Sequence, residues 1–240
     1  MLEIKNLSVS IEEKIILKNI TYSFKKGNVY VIMGPNGSGK STLASAVMGH
    51  PLYKLDHVSK ILFQKEEIQD MSPELRAQKG IFMSFQSPLS LSGVTVYQLL
   101  RYPLSGKMDP LKIRNSVKAY AKQLHIKEEL LSRSLNEGFS GGERKKMEIL
   151  QAAMLQPKLL ILDEIDTGVD VDALKRISQV INDLKSPDRT IILITHYSRI
   201  LNHVHPDTVL VISDGQIVAE GKKNLALEIE KKGYSAVIKS

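Results

Sequence analysis

The chain has 240 residues, of which 42% are hydrophobic and 25% are charged, a composition typical of a folded domain that buries a core without disulfide bonds. It has no cysteine, which excludes a disulfide framework, a cysteine zinc site and an iron–sulfur cluster ligated by this chain. The formal net charge is +7. A polyanionic partner would account for that charge, but the basic residues are dispersed and aromatic residues are scarce. A solvated lysine-rich surface is the simpler explanation, and nucleic acid is not an expected partner.

The sequence shows neither the pattern of a membrane span nor that of a signal peptide. No apolar run approaches the roughly 18 residues that a membrane-spanning helix requires, so direct membrane insertion is not expected. The segment Met1–Lys5 has neither the basic start nor the apolar stretch of a signal peptide. These observations predict a cytoplasmic protein.

The first third of the chain predicts strands followed by a strand–loop–helix unit. Residues 2–24 form two strand-like stretches around Glu12–Lys14, as in an antiparallel hairpin. Val29–Met33 has the composition of a buried strand, and after a glycine-rich loop Ser41–Met48 has that of a helix ending at Gly49. A short helix is predicted to begin at Ser72–Pro73, with Ser72 as its N-cap.

The rest of the chain predicts a helical middle and a return to strand–helix alternation. Three elements are predicted before Pro157: a strand over Ile81–Phe85, a helix from Asp109–Pro110, and a helix from Ser140 to Gln156. Beyond Pro157 the predicted strands are Leu159–Leu162, Thr190–Thr195, Thr208–Ile212 and Gln216–Ala219, and the predicted helices are Asp170–Leu184 and Asn224–Lys232. Strands alternating with helices indicate an α/β fold with a mainly parallel sheet, and the helical middle is expected to be an inserted subdomain.

The strongest chemical signal is the glycine-rich loop between a buried strand and a helix. Its sequence, Gly34-Pro35-Asn36-Gly37-Ser38-Gly39-Lys40-Ser41-Thr42, matches G-x-x-x-x-G-K-[ST]. The glycines let consecutive N–H groups face a phosphate, and the helix N-terminus adds a partial positive charge. Lys40 is expected to reach the β- and γ-phosphates, and the Ser41 hydroxyl to bind Mg²⁺. A glycine turn with an incidental lysine does not explain this strand–loop–helix context, so the sequence predicts a nucleoside triphosphate site.

Two acids follow the apolar strand that begins at Leu159. Because ligands bind at the carboxyl ends of parallel strands, Asp163 is predicted to hold Mg²⁺, directly or through water. Glu164 is predicted to be the general base that polarises the water attacking the γ-phosphate. Acids at a strand end are also common as caps, and the glycine-rich loop is what favours the catalytic interpretation.

Two further polar residues also follow predicted strands. Gln86 follows Ile81–Phe85 and is expected to touch both the metal and the helical middle, while His196 follows Thr190–Thr195 and can hydrogen-bond the γ-phosphate. By itself, each could simply be a polar residue at a strand end.

A third feature is the start of the helix at Ser140. Ser140 and Glu143 form an S-x-x-E capping box, which is a sufficient structural explanation for those two residues. It does not explain Gly141 and Gly142, since each glycine in the first turn costs about 1 kcal/mol against alanine. Bare N–H groups at this position suit the close approach of an anion.

The glycine-rich loop, Gln86, the helix start at Ser140, the strand end at Glu164, Asp170 and His196 follow one another in the order found in the ABC ATPase family. The sequence therefore resembles that family, and the resemblance covers the whole chain. It implies one domain over residues 1–240, with a catalytic core of about 1–86 and 157–240 and a helical subdomain of about 87–156. It implies ATP and Mg²⁺ as cofactors. The catalytic residues would be Lys40, Gln86, Glu164 and His196, and the metal site would include Ser41, Gln86 and Asp163.

The same resemblance implies that two copies pair head to tail when ATP binds. Ser140, Gly141 and Gly142 of one copy would then complete the γ-phosphate site of the other, and Asp170 would couple the two sites. Many family members stack adenine on an aromatic residue near the position of Ser10–Lys14. This chain has none there, so weak selection of ATP over GTP is expected.

Stretches outside the shared motifs resemble one branch of the family, the ATPases of the Suf iron–sulfur cluster assembly machinery. These stretches are Met71–Ala77, Asn136–Glu143, Glu148–Gln151, Asp163–Leu174, Thr195–Tyr197, and Leu225–Glu228 ahead of Lys232–Tyr234. The resemblance implies SufB and SufD scaffold proteins as partners, held by the Gln86 loop and the adjoining helices. The alternative is the ATPase subunit of a membrane transporter, with the same surface receiving the cytoplasmic loops of a permease.

Overall fold

The computed structural model describes residues 1–237, which form two β-sheets and eight α-helices. The strands are β1 Leu2–Ile11, β2 Lys14–Phe24, β3 Val29–Met33, β4 Lys54–Leu55, β5 Lys60–Phe63, β6 Glu66–Glu67, β7 Ile81–Met83, β8 Leu159–Asp163, β9 Thr190–Ile194, β10 Thr208–Ser213 and β11 Gln216–Gly221. The helices are α1 Lys40–Met48, α2 Pro73–Gln78, α3 Val96–Leu104, α4 Pro110–Gln123, α5 Glu128–Ser132, α6 Gly141–Leu155, α7 Val171–Asp183 and α8 Lys223–Lys232. Two 3₁₀-helices cover Ser198–Asn202 and Tyr234–Ala236.

A six-stranded sheet forms the centre of the fold, in the order β11-β10-β3-β9-β8-β7. All its neighbouring strands are parallel except β10 and β11. Every residue of β3, β8 and β9 is buried, because strands covered on both faces carry continuous apolar runs. The predicted α/β fold with a mainly parallel sheet is confirmed.

The second sheet is antiparallel and contains the predicted N-terminal hairpin of β1 and β2. Strand β1 also pairs with β4 and β5, and β5 pairs with β6. The sequence did not predict β4, β5 or β6. These strands have two to four residues and include charged side chains, so they are too short to show an alternating pattern.

The central sheet separates two apolar cores. On β3, Val29, Val31 and Met33 join the core that contains the buried faces of α6 and α7. Tyr30 and Ile32 point to the opposite core, shared with the antiparallel sheet and α1. This division follows from the period of two in a strand, and it fixes both ends of the loop that follows β3.

Helices α3 to α6 lie between β7 and β8 in the chain. Helices α4 and α6 begin at the predicted caps Asp109 and Ser140. The sequence did not predict α3, which contains Pro103, or α5, which has only five residues. Across residues 1–237, no helix combines the length and the apolar character needed to cross a membrane.

Strand β7 ends at Met83, two residues earlier than predicted. Beyond Met83, two buried side chains of α6 form hydrogen bonds with the backbone. The Phe85 N–H donates to Glu148 Oε1 at 2.7 Å, and Lys145 Nζ donates to the carbonyls of Phe85 at 3.1 Å and Gln86 at 3.0 Å. These bonds replace strand pairing and connect α6 to the loop that carries Gln86.

The side chain of Arg76 in α2 is 1% exposed and has four backbone acceptors. Its guanidinium donates to the carbonyls of Ala46 and Val47 at 2.8 Å, in the last turn of α1, and to those of Met71 and Gln69 at 2.9 and 2.8 Å. A cation at a helix C-terminus is favoured by the helix dipole. Arg76 therefore anchors the end of α1 that is remote from the glycine-rich loop.

We expect Arg76→Ala to lower the free energy of unfolding by about 3 kcal/mol, because it leaves buried carbonyl groups without donors and opens a cavity. Urea denaturation followed by circular dichroism measures this change. The matched control, Arg101→Ala, removes an exposed arginine of α3 and should change the free energy by no more than about 0.5 kcal/mol. Equal effects of the two substitutions would contradict the anchoring role.

We expect Glu148 to make the protein less stable as the pH rises. Burial raises the pKa of this carboxyl from 4.5 to about 7, so the folded state binds its proton more tightly than the unfolded state. As the pH rises from 4.5 to about 7, the carboxyl ionises in the unfolded state but stays protonated in the folded state. Over this range the free energy of unfolding falls by up to about 3 kcal/mol.

Glu148→Gln keeps an acceptor for the Phe85 N–H but cannot titrate, so the decline of stability with pH should become shallower. Burial also raises the pKa values of Asp163 and Asp166, so part of the decline remains. Urea denaturation across this pH range measures the slope. In the control, Glu128→Gln, the lost carboxyl is exposed and has a pKa lowered by Lys118, so the slope should not flatten. An unchanged slope in Glu148→Gln would contradict the assignment.

Candidate active site

A cavity of about 830 Å³ opens at the carboxyl end of the parallel sheet. Most of the predicted phosphate loop lines it, namely Pro35, Asn36, Gly37, Gly39, Lys40, Ser41 and Thr42. Gln86, Glu164 and His196 line it from the neighbouring strand ends. Gly34 and Ser38 are buried and do not line the cavity. The structure thus brings residues from four distant parts of the sequence to one cavity.

The glycine-rich loop depends on conformations that side chains would block. Gly39 is the N-cap of α1 and has a φ of 106°, in the left-handed region. A Cβ atom there would lie 2.5 Å from Leu17 Cδ2. Because glycine offers no capping side chain, the first-turn N–H groups of α1 remain for a ligand, as anion sites at helix N-termini require.

Lys40 is 4% exposed, and its ammonium group is held against the loop. Its Nζ atom donates to the carbonyls of Gly34 and Pro35, each at 2.9 Å. Burial lowers the pKa of Lys40, an effect opposed by the charges of Glu164 and Asp163. The cavity therefore contains a buried cation at the point where a phosphate would meet the loop.

Asp163 ends β8 and is 1% exposed. Its backbone N–H donates to Ser84 Oγ at 2.9 Å, its carboxylate pairs with the Ser41 hydroxyl, and its Oδ1 atom has no partner. Burial raises the pKa of this carboxyl.

A carboxylate with an unpartnered oxygen beside a hydroxyl fits Mg²⁺, which binds through one or two carboxylates, water and substrate phosphates. Within residues 1–237, no cluster of three or more His, Cys, Asp or Glu residues could hold a metal by itself.

Glu164 lies between the other two strand-end residues. Its Oε2 atom accepts a hydrogen bond from Gln86 Nε2 at 3.1 Å, and its Oε1 atom lies 2.9 Å from His196 Nε2. The backbone of Glu164 has a φ of 49°, a left-handed conformation that few non-glycine residues adopt and that is concentrated at functional sites. The three residues that the sequence placed at separate strand ends form one polar cluster.

The remaining predicted residues lie outside this cavity. Ser140 and Glu143 form both bonds of the predicted capping box at the start of α6. A Cβ atom added to Gly141 or Gly142 would meet nothing within 4 Å. Asp170 is exposed and caps α7 by accepting from the Ala173 N–H at 2.8 Å. The chain does not bring these residues to its own cavity.

Sequence reasoning missed two aromatic residues that line the cavity, Tyr197 and Tyr234. Tyr197 follows His196 directly, so its position at a strand end was an available signal. Tyr234 lies 200 residues from Gly34. The stretch Lys232–Tyr234 resembles the Suf ATPases, but nothing in the sequence placed Tyr234 at the cavity. The wall nearest the first hairpin is formed by Lys14 and Ile16.

Comparison with known proteins shows which family this chain resembles. The family model for the ABC transporter matches residues 17–167. The chain is 44% identical to the probable ATP-dependent transporter ycf16 of Antithamnion sp., covering 98% of this chain and 96% of that one. It is 45% identical to a probable ABC transporter ATP-binding protein of Streptococcus pyogenes serotype M3, covering 99% and 94%.

Solved structures agree with the fold. The ATP-binding cassette MJ1267 of an ABC transporter has a TM-score of 0.78 and is 28% identical, covering 98% of this chain and 97% of that one. The dimeric cassette MJ0796 has a TM-score of 0.79 at 22% identity, covering 93% and 99%, and supports the fold alone. The family model matches more than half of the chain, and the relatives align over nearly all of it. The chain therefore belongs to the ABC transporter family and is an ATP-binding cassette ATPase.

Proposed function

We propose that this chain is a SufC-type ATPase, a cytoplasmic subunit that hydrolyses ATP to move a scaffold complex for iron–sulfur cluster assembly. The observation that carries the catalytic part is the placement of Glu164 between Gln86 and His196 at the mouth of the phosphate loop. The scaffold part depends on the stretches outside the shared motifs that resemble Suf ATPases.

The chemistry follows from the side chains around the cavity. Lys40 and the N–H groups of the loop bind the phosphates of ATP, and Ser41, Asp163 and Gln86 hold Mg²⁺. When bound, Mg²⁺ neutralises charge on the β- and γ-phosphate oxygens. Glu164 accepts a proton from the attacking water as its general base.

The contacts around Glu164 support this role. Gln86 and His196 fix the orientation of its carboxylate, and His196 lines the cavity in which the γ-phosphate would bind. A base held by two neighbours needs little reorganisation when the water attacks.

Two copies of the chain pair head to tail when ATP binds. Ser140, Gly141 and Gly142 lie outside the cavity of their own chain, and nothing crowds the two glycines. The N–H groups at the start of α6 then reach the γ-phosphate bound by the second copy. Asp170, exposed at the start of α7, couples the two sites.

We infer that the chain forms one domain, with a catalytic core of about 1–86 and 157–240 and a helical subdomain of about 87–156 that moves when two copies pair. Lys145 and Glu148 bind the backbone of Phe85 and Gln86, so displacement of α6 on pairing displaces the Gln86 loop.

The partner surface is the segment that follows Phe85. Phe85, Leu89 and Leu91 are 52%, 69% and 37% exposed. A cluster of exposed apolar side chains beside a catalytic loop suits a protein partner. SufB and SufD are the proposed partners.

The alternative is the ATPase subunit of a membrane transporter. It is favoured by the names of curated relatives, which include probable transporter ATP-binding proteins. In that case the same apolar surface receives the cytoplasmic loops of a permease. The catalytic proposal is common to both alternatives.

We expect Glu164→Gln to bind ATP normally but to hydrolyse it at least about 100-fold more slowly, because the amide cannot accept the proton. With Mg-ATP this variant should accumulate as a dimer in light scattering. Adding Gly142→Asp should keep the protein monomeric, because a carboxylate would face the partner's phosphate. Phosphate release by Glu164→Gln at the normal rate would contradict the base assignment.

We expect tagged Glu164→Gln protein, incubated with Mg-ATP in lysate of its own host, to capture soluble proteins that bind iron–sulfur clusters, identified by mass. Leu89→Asp should abolish capture, because a charge would replace an exposed apolar contact. Leu111→Asp is the matched control, since Leu111 is 66% exposed on α4, and should capture normally. Capture of a polytopic membrane protein would overturn the scaffold proposal in favour of the transporter alternative.

A further inference from the structure

The C-terminal segment of the described chain reaches back to the phosphate loop. Helix α8 stops at Gly233, whose N–H donates to the Ile229 carbonyl at 2.7 Å and whose φ is 78°. With a ψ of 171°, Gly233 has a positive-φ, extended conformation that glycine adopts readily, and it redirects the chain after α8. The next residue, Tyr234, lines the nucleotide cavity, and its hydroxyl accepts a hydrogen bond from the Gly34 N–H at 3.1 Å.

Gly34 is the first residue of the phosphate loop, and packing cannot fix it through a side chain. A Cβ atom at this position would lie 2.0 Å from the Ile212 carbonyl oxygen. Hydrogen bonds hold it instead: its N–H donates to Tyr234, and its carbonyl accepts from Lys40 Nζ at 2.9 Å. The orientation of Gly34 therefore links Tyr234 to the lysine at the phosphate position.

The same segment also contacts the loop on the other side of the cavity. The Ser198 hydroxyl donates to the carboxylate of Glu230 in α8. Ser198 lies two residues after His196 and begins the 3₁₀-helix Ser198–Asn202. One C-terminal element is thus bonded to the starts of both the phosphate loop and the segment that follows His196.

We propose that Tyr234 is a positioning residue for nucleotide binding, and that residues 223–236 act as a C-terminal clamp on the phosphate loop and the His196 loop. Without the Tyr234 hydroxyl, the Gly34 N–H loses its acceptor. The loop then samples orientations in which Lys40 and the first-turn N–H groups no longer converge on a phosphate. The proposal rests on the nucleotide site described above, but it does not depend on the scaffold or transporter partner.

The test is the affinity of the purified full chain for a fluorescent ADP analogue with Mg²⁺. We expect Tyr234→Phe, which keeps the ring, to raise the Kd roughly threefold to tenfold, as for the loss of one hydrogen bond. Hydrogen exchange of the peptide containing Gly34 should become faster in this variant. Tyr234→Ala, which also removes the ring from the cavity wall, should raise the Kd further.

Tyr22→Phe is the matched control. It also removes a tyrosine hydroxyl from a hydrogen bond, here to Glu220 at 3.0 Å, but outside the cavity. It should leave the Kd and the exchange of the Gly34 peptide unchanged. Measurements well below the melting temperature separate positioning from stability, because a purely structural tyrosine would lower the melting temperature without weakening nucleotide binding by the folded protein.

Two outcomes would overturn the inference in different ways. If the wild-type protein and Tyr22→Phe bind the analogue and Tyr234→Phe binds it equally well, the clamp is wrong and the nucleotide site stands. If the wild-type protein itself fails to bind, the proposed nucleotide site is wrong and the clamp fails with it.

Discussion

The parallel pairing of β3, β9 and β8 is the constraint on which the candidate site depends. Ile32 pairs with Ile194, and Ile194 pairs in turn with Asp163. This register ends the three strands at one edge of the sheet, so Gly34, Glu164 and His196 follow at similar heights. Since each strand is buried on both faces, a one-residue slip in register would exchange the side chains that fill the two cores and disrupt the packing of both. The cores therefore fix the positions of the polar residues.

Burial then gives the cavity its electrostatic character. It lowers the pKa of Lys40 and raises that of Asp163, because each charged form loses contact with water. A triphosphate with a divalent cation brings opposite charges to both groups. The same low dielectric that makes these side chains costly in the folded chain strengthens their interaction with such a ligand. The buried charges are thus destabilising by themselves, and they are opposite in sign to the charges of a triphosphate and a divalent cation.

Each segment around the cavity is held by an element distant in the sequence. The Gln86 loop is held by Lys145 and Glu148 of α6, the phosphate loop by Tyr234, and the far end of α1 by Arg76. In every case the side chain forms hydrogen bonds with backbone groups. The positions of the loops therefore depend on side chains that have no part in the proposed catalysis. A change in α6 or α8 therefore has a direct physical route to the nucleotide.

The sequence by itself determined the features that local patterns encode. Apolar runs of four or five residues predicted β3, β8 and β9, the glycine-rich loop predicted the phosphate site, and caps such as Asp109 and Ser140 predicted where helices begin. Only the tertiary structure decided the short strands β4 to β6, the end of β7 at Met83 and the contact between Tyr234 and Gly34. The pairing of β4, the end of β7 and the Tyr234–Gly34 contact depend on hydrogen bonds between residues far apart in the chain. The β5–β6 pairing is local, but its strands are too short to show a periodic pattern.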